Sequence, residues 1–314
     1  VIDQATRDLL VQQDPASAEI IKPYIEGKDL KKWYTQTRNL WLIFTRRGTD
    51  IEKYPAVKGY LESYRDKLEP KPKDWSKEME WPGRKAGAYK WFEIQDSIGY
   101  HDEFRKIKIL WPDISSSNDF SMNADGSFLA NTGYMLPKAD WFFLGWLNSK
   151  VFKFLFEARS TSIRGGFYRY IRQNIEIIPV PPATPEQQQS IGQLAQQCQQ
   201  LAEQRLQVSQ YFTRRLLDDL CPANAAAQPS LNQKCQQWWQ LDFKTLQDEL
   251  KKSFKLKAKD TLIPVAERNS WQDYFTAEQQ KICQLDQQIQ TAEDQLNHAV
   301  NQLFGLTPSE VGRL

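Results

Sequence analysis

Apolar positions change their spacing part-way along the chain. Ile191, Leu194, Cys198, Leu201, Arg205, Val208 and Phe212 follow one another in steps of three and four. So do Phe275, Glu278, Ile282, Leu285, Ile289, Ala292, Leu296, Ala299 and Leu303. A seam of about 3.5 residues per repeat belongs to a helix lying along another helix, so the two runs predict an antiparallel helical hairpin. Trp238, Leu241, Phe243, Leu246, Leu250 and Phe254 predict a further helix covering one end. Sustained heptads suit a coiled-coil-like docking arm or spacer as well as an ordinary helical bundle.

Upstream the pattern is mixed. "SAEIIKPYIEGKDL" and "YPAVKGYLESYRDKLE" have helical spacing, and "ADWFFLGWLNSKVFKFLFEA" predicts a buried helix. "NLWLIFTRR", "KWFEIQ", "KIKILW", "GSFLANTGYML" and "IEIIPV" are β-rich runs bounded by turn formers. Regular βαβ alternation is lacking, so the expected class is α+β, a mixed domain followed by an all-helical one. Glutamine locates the boundary: residues 1–183 hold 6 and residues 184–314 hold 26. At the junction, "IPVPPATPEQQQSI" ends a strand with prolines. Thr184 then serves as N-cap, Pro185 as first helical residue and Gln187 as the partner in a capping box.

Charge divides at the same place. The net charge is +2, but Lys+Arg against Asp+Glu is 28 to 24 before the boundary and 13 to 15 after it. Between Asn148 and Pro182, Lys150, Lys153, Arg159, Arg164, Arg169 and Arg172 face Glu157 and Glu176. Further cations sit at Arg46-Arg47-Gly48 and at Arg84, Lys85 and Lys90, with Trp81, Tyr89, Trp91, Phe167, Tyr168 and Tyr170 interleaved. Arginine forks match guanine edges, lysine neutralises phosphate, and an amide pairs with adenine. Gly165-Gly166 would let the backbone come close to a phosphate. The candidate DNA contacts are therefore Arg46, Arg47, Arg84, Lys85, Lys90, Asn118, Arg159, Arg164, Tyr168, Arg169 and Arg172. Arg164, Arg169 and Arg172 are expected to straddle the duplex backbone, with base readers among Arg46, Arg47, Lys85 and Asn118.

Catalytic patterns are scarce. A phosphate-cradling GxxxxGK[ST] loop and a GxGxxG turn are both missing. Pro181-Pro182 lacks the short acidic or amide residue and the aromatic with which amino-methylating DNA enzymes grip a flipped base. Two histidines, His101 and His298, and four cysteines without CxxC spacing argue against triads and structural zinc. His101 is expected to be structural or solvated. Asp14 with Glu26-Gly27-Lys28 has the acid…E-x-K form of Mg²⁺ nucleases, but "EGKDLKKWY" reads better as a surface turn. No catalytic, metal or cofactor site is expected on this chain, and no apolar run is long enough to span a membrane. A reduced, cytoplasmic setting is expected. The opening at Val1 reads as though entered mid-protein.

The order of blocks adds a resemblance. "PYIEGKDLKKWY", "LWLIFTRRGTDIEKYPAVKGYLESYRDKLEPK", "KIKILWPDIS", "NTGYML", "WFFLGWLNSKVFKFLFEA" and "GGFYRYIRQNIEIIPVP" resemble, in order, the C-terminal specificity region of TaqI-type adenine methyltransferases and type IIG restriction–modification proteins. The tail from "WQDYFTAEQQ" onward is similar to the end of the larger members. The resemblance implies a target recognition domain that reads a short duplex sequence through the major groove. It implies a partner too, an N-terminal methyltransferase domain on the same or another chain, which flips out an adenine and uses S-adenosylmethionine. Matched positions are largely scaffold: Gly27 to Trp33, the Leu147-Asn148-Ser149 helix end, and "IPVP". Base-reading residues vary with the target, so none carries over. The alternative is a specificity subunit or scaffold that recruits a separate methyltransferase or nuclease through its helices.

Overall fold

The computed structural model describes residues 1–76, 79–222, 230–257 and 259–314. The chain divides into Val1–Val180 and Pro181–Leu314. The first unit is α+β and the second is all-helical.

The first unit opens with α1 (Gln4–Gln13), whose N-cap Asp3 accepts from the Thr6 amide. Strands β1 (Ile21–Ile25), β2 (Leu30–Lys31), β3 (Tyr34–Thr35) and β4 (Leu40–Ile43) follow, then α2 (Pro55–Glu62) and α3 (Arg65–Leu68). Next come a 3₁₀ turn (His101–Arg105), β5 (Lys108–Pro112), β6 (Ile114–Ser115), β7 (Ser121–Asn123), β8 (Phe128–Leu129) and β9 (Gly133–Pro137). Helices α4 (Trp141–Leu147) and α5 (Lys150–Arg159), strand β10 (Tyr168–Arg169) and the single turn α6 (Arg172–Ile175) complete it. One sheet runs β4–β1–β8, with β1 antiparallel to β4 and parallel to β8. A second runs β7–β5–β9, antiparallel throughout, and β10 pairs with β6.

Several expected elements differ. "SAEIIKPYIEGKDL" holds strand β1 rather than a helix, because Pro23 in a helix interior would remove a hydrogen bond and clash with the preceding turn. Pro23 is tolerated in the strand because the β8 pairing covers only Tyr24 and Ile25. "GSFLANTGYML" divides into β8 and β9. "KWFEIQ" and "IEIIPV" form turns and one helical turn rather than strands. The buried helix breaks at Asn148-Ser149, where the Ser149 hydroxyl caps α5 by accepting from the Phe152 amide at 3.1 Å.

That break sits inside a buried hydrogen-bond network. Asn148 accepts from the Phe120 amide (3.3 Å) and donates to the Phe120 carbonyl (2.9 Å). Asn118 donates to the Ser149 carbonyl (2.9 Å) and accepts from the Tyr170 hydroxyl (3.2 Å). Trp111 on β5 donates to the Tyr170 carbonyl (2.7 Å), and the Tyr170 amide donates to the Asp113 carbonyl (2.7 Å). The Tyr170 ring stacks on Phe156 of α5 at 4.2 Å. Sheet, helix corner and the strand that follows Gly165-Gly166 are thus locked together.

In the second unit α7 (Pro185–Leu220) and α10 (Arg268–Leu303) run antiparallel, with Phe212 opposite Phe275 and Arg205 paired with Asp286. The Thr184–Gln187 capping box is present. Ile191, Cys198 and Phe212 are buried as expected, but at two positions between them burial shifts by one residue. Ala195 and Ala202 are fully buried while Leu194 and Leu201 are half-buried, which lets the backbones approach closely. Between the long helices lie α8 (Gln233–Gln236) and α9 (Phe243–Ser253), and α11 (Pro308–Val311) ends the chain. Trp238, Leu246 and Leu250 pack with Phe212, Leu216, Phe275 and Ile282 to form the core at the α9 end.

Removing a member of the buried network leaves its partners without hydrogen bonds. Asn118→Ala is expected to lower unfolding free energy by about 2 kcal/mol, because the Tyr170 hydroxyl and the Ser149 carbonyl lose their partner. Tyr170→Phe should cost about half as much. Urea unfolding midpoints check both.

Candidate nucleic-acid interface

Two groups of candidate residues come together in the first unit. The first surrounds Tyr89. Arg84 donates to the carbonyls of Leu68 (2.6 Å), Glu93 (2.7 Å) and Trp91 (2.7 Å) and lies 4.6 Å over the Tyr89 ring. Burial lowers the pKa of its guanidinium. Arg47 approaches the same ring at 5.3 Å and donates to the carbonyls of Ala88 (2.6 Å) and Gln95 (2.8 Å). These arginines supply the backbone partners that the "KWFEIQ" segment would have found in a sheet, and it remains coiled around them. Both direct guanidinium donors to backbone carbonyls of the fold. Lys85 and Lys90 are exposed on the same loop, with the Lys90 ammonium 5.6 Å from the Phe92 ring.

Glu93 joins this loop to the Arg46-Arg47-Gly48 turn. It is 4% exposed and accepts from the amides of Gly48 and Lys90, each at 2.9 Å. Burial alone would raise the Glu93 pKa, but these two amides and the nearby Lys90 and Arg47 charges hold it below the ordinary carboxylate range.

Beside that turn is a cleft lined by Lys22, Arg46, Arg47, Lys53 and Arg105 against Glu19 and Asp50. Arg46 lies 2.9 Å from His101 Nε2, and His101 Nδ1 lies 3.2 Å from Asp102. Glu19 accepts from the Tyr54 hydroxyl and Asp50 caps the Glu52 amide, so both carboxylates have other partners. Burial and the neighbouring Arg105 lower the Lys22 ammonium pKa, while Glu19 opposes the shift. Such a cleft suits an anionic oxygen. Lys22, Lys53 and Arg105 escaped the sequence reading because strand pairing and loop packing, not spacing, gather them.

The second group is a hairpin. Ile163 and Phe167 bridge through a 2.7 Å amide–carbonyl bond, enclosing Arg164 and two glycines at φ +84° and +78°. Left-handed backbone of this kind favours glycine. Arg164 is exposed and has no partner among the described residues. Phe167 is 42% exposed beside it. Tyr168 is half-buried against Phe156, and Arg169 pairs with Asp113 of the β5–β6 corner at 2.5 Å. Arg172, with an 85% exposed side chain, pairs with Glu176, and Arg159 is exposed in the last turn of α5. Asn118 is 4% exposed within the buried network, so the structure corrects its assignment from base reader to scaffold. Glu26 and Asp29 both hold Arg38, and Asp14 caps the 15–19 turn. Groups of three or more potential metal-ligating side chains are not found among the described residues.

Comparison with known families matches residues 22–180 to the TaqI-like C-terminal specificity domain. The chain belongs to that family. Residues 184–300 match a domain of unknown function. No curated protein matches the chain. Among solved structures, the type IIL restriction–modification enzyme MmeI, determined in complex with DNA, is 14% identical with a TM-score of 0.44. The match covers 90% of this chain and 34% of that enzyme, so the chain spans about a third of its length. No described helix is long and apolar enough to cross a membrane.

In this specificity domain, Glu93 ties the two loops that carry Arg46, Arg47 and Lys90. Its folded pKa lies below the unfolded value of about 4.3, so its contribution is complete above that pH and is lost as pH falls through the folded value. Glu93→Gln should cost about 2 kcal/mol at neutral pH and should make stability fall less steeply on acidification. Urea midpoints at neutral and acid pH, compared between the two proteins, read both effects.

Proposed function

We propose that the chain reads a short duplex DNA sequence as the specificity portion of a restriction–modification adenine-N6 methyltransferase of the type IIG kind. The observation that carries this reading is the Ile163–Phe167 hairpin. It displays at its tip Arg164, without a partner among the described residues, on a base braced by the buried Asn118–Tyr170 network. A guanidinium held this way can reach a base edge bidentately, while Arg159 and Arg172 flank it as phosphate contacts. The Arg46 cleft supplies a further anion contact, and Lys85 and Lys90 neutralise phosphate without selecting sequence.

The partner in this reading is a methyltransferase domain outside residues 1–314, on the same or a second chain. S-adenosylmethionine would be held by that domain. The residues here supply placement: they hold the duplex in register so that the target adenine meets the catalytic pocket.

The test is selection from a randomised duplex pool at low and moderate salt, followed by sequencing of the retained DNA. Enrichment of one short motif is expected. Arg164→Ala should cost about 1–3 kcal/mol on that motif and relax preference at one position. Lys85→Ala should weaken all duplexes alike. Retention without enrichment, or an unaltered motif in the Arg164 variant, would sink the hairpin assignment.

A further inference from the structure

The second unit carries its own charged surface. Of 13 Lys+Arg residues in 184–314, seven fall between Lys234 and Lys259, and from Leu250 to Lys259 five lysines stand without an acid. Lys252, Lys255, Lys257 and Lys259 are exposed. Glu249, 6% exposed, holds Lys252 at 2.7 Å and Lys234 at 3.5 Å. Asp260, the next acid along the chain, is occupied by the Lys257 amide at 2.8 Å. Lys255, Lys257 and Lys259 have no carboxylate partner among the described residues.

Helix-end stabilisation explains part of this. Lys251 and Lys252 lie in the last turn of α9, where the helix dipole favours cations. That field fades within a turn, so it does not account for Lys257 or Lys259. Nor does it account for Lys255. The Lys255 amide bonds to the Lys252 carbonyl (3.1 Å) and the Leu256 amide to the Lys251 carbonyl (2.8 Å), the Schellman arrangement. Lys255 therefore sits at φ +56°, a position that glycine holds without conflict. A lysine there, in an unneutralised run, carries charge at a backbone position that glycine would hold without strain.

We propose that the α9 C-terminal turn and the exposed Lys255, Lys257 and Lys259 form a second duplex-DNA contact, made to the phosphate backbone and indifferent to sequence. The proposal rests on the DNA-reading function of the first unit. Exposed arginine, amide and aromatic groups do not interleave these lysines, so the surface can neutralise phosphates but not select bases. The matched domain of unknown function thereby becomes a clamp on DNA rather than a bare spacer.

The experiment uses the whole chain with Lys255→Gln, Lys257→Gln and Lys259→Gln together, and a second variant with the latter two alone. Binding is measured to a duplex bearing the enriched motif and to an unrelated duplex, across a salt series. Circular dichroism confirms folding. In the triple variant the slope of log K against log [salt] should shrink by about 2–3 on both duplexes, at roughly 0.9 per phosphate contact, with the selected motif unchanged. The double variant should lose about two-thirds of that. Unchanged slopes in folded protein would overturn the clamp while leaving sequence reading intact. Loss of binding to polyglutamate with duplex slopes unaltered would overturn it in favour of an acidic polypeptide partner. Loss of slope without any selected motif would keep the clamp and remove the specificity reading. Absence of duplex binding at about 50 mM salt would end both.

Discussion

The first unit depends on polar groups that water cannot reach. Asn118, Asn148, Ser149 and the Trp111–Tyr170 bond lie in a core of aromatic rings, where an unmade hydrogen bond has no solvent substitute. Each must find one partner in one geometry. The result is that three elements with little sequence proximity share a single arrangement. The β5 strand, the α4–α5 corner and the strand leaving the glycine hairpin are fixed to one another more tightly than apolar packing alone would demand. A flexible arginine needs a rigid base if its reach is to mean anything, and Tyr170 lies three residues beyond Phe167 in the same short strand region.

Arginines of the unit divide by where their donors go. Arg84 and Arg47 spend theirs on backbone carbonyls and stack over Tyr89, acting as internal struts for a segment without regular secondary structure. Arg169 and Arg172 are balanced by Asp113 and Glu176, so any phosphate must compete with an existing partner. Arg164 and Arg159 remain uncommitted among the described residues. Charge density along the chain is blind to this division, because a guanidinium that staples a loop and one that waits for a ligand are the same letter.

Legibility followed the range of the forces involved. The long helices were plain because a helix repeats its instruction every turn, although burial at two seam positions passed from Leu194 and Leu201 to Ala195 and Ala202. Strands β4 and β5 were visible as short apolar runs. "KWFEIQ" and "IEIIPV" misled because β propensity describes a fit to a pleated surface, and neither segment has a neighbouring strand to pair with. Pro23 could have warned against a helix. In the candidate interface, Gly165-Gly166 was legible as a break in the chain, but the Ile163–Phe167 bridge that makes it a hairpin was not. The Arg46 cleft was not, since Lys22, Lys53 and Arg105 meet only through β1–β4 pairing and the packing of the 101–105 turn. Asn118 looked available as a loop amide, and nothing in its local sequence reveals that its partners are Ser149 and Tyr170.

The parallel pairing of β1 with β8 bears on how the unit reaches this state. Tyr24 and Ile25 align with Phe128 and Leu129 across about a hundred residues of intervening chain. Loop-closure entropy must be met before that contact gives anything back, and searches of this length slow folding. The antiparallel β1–β4 pair and the heptad helices close over shorter or more repetitive paths. A ribosome would therefore release β1 and β4 as an open-edged ribbon that waits for β8, exposing its unpaired edge to any chaperone, or any neighbour, that arrives first.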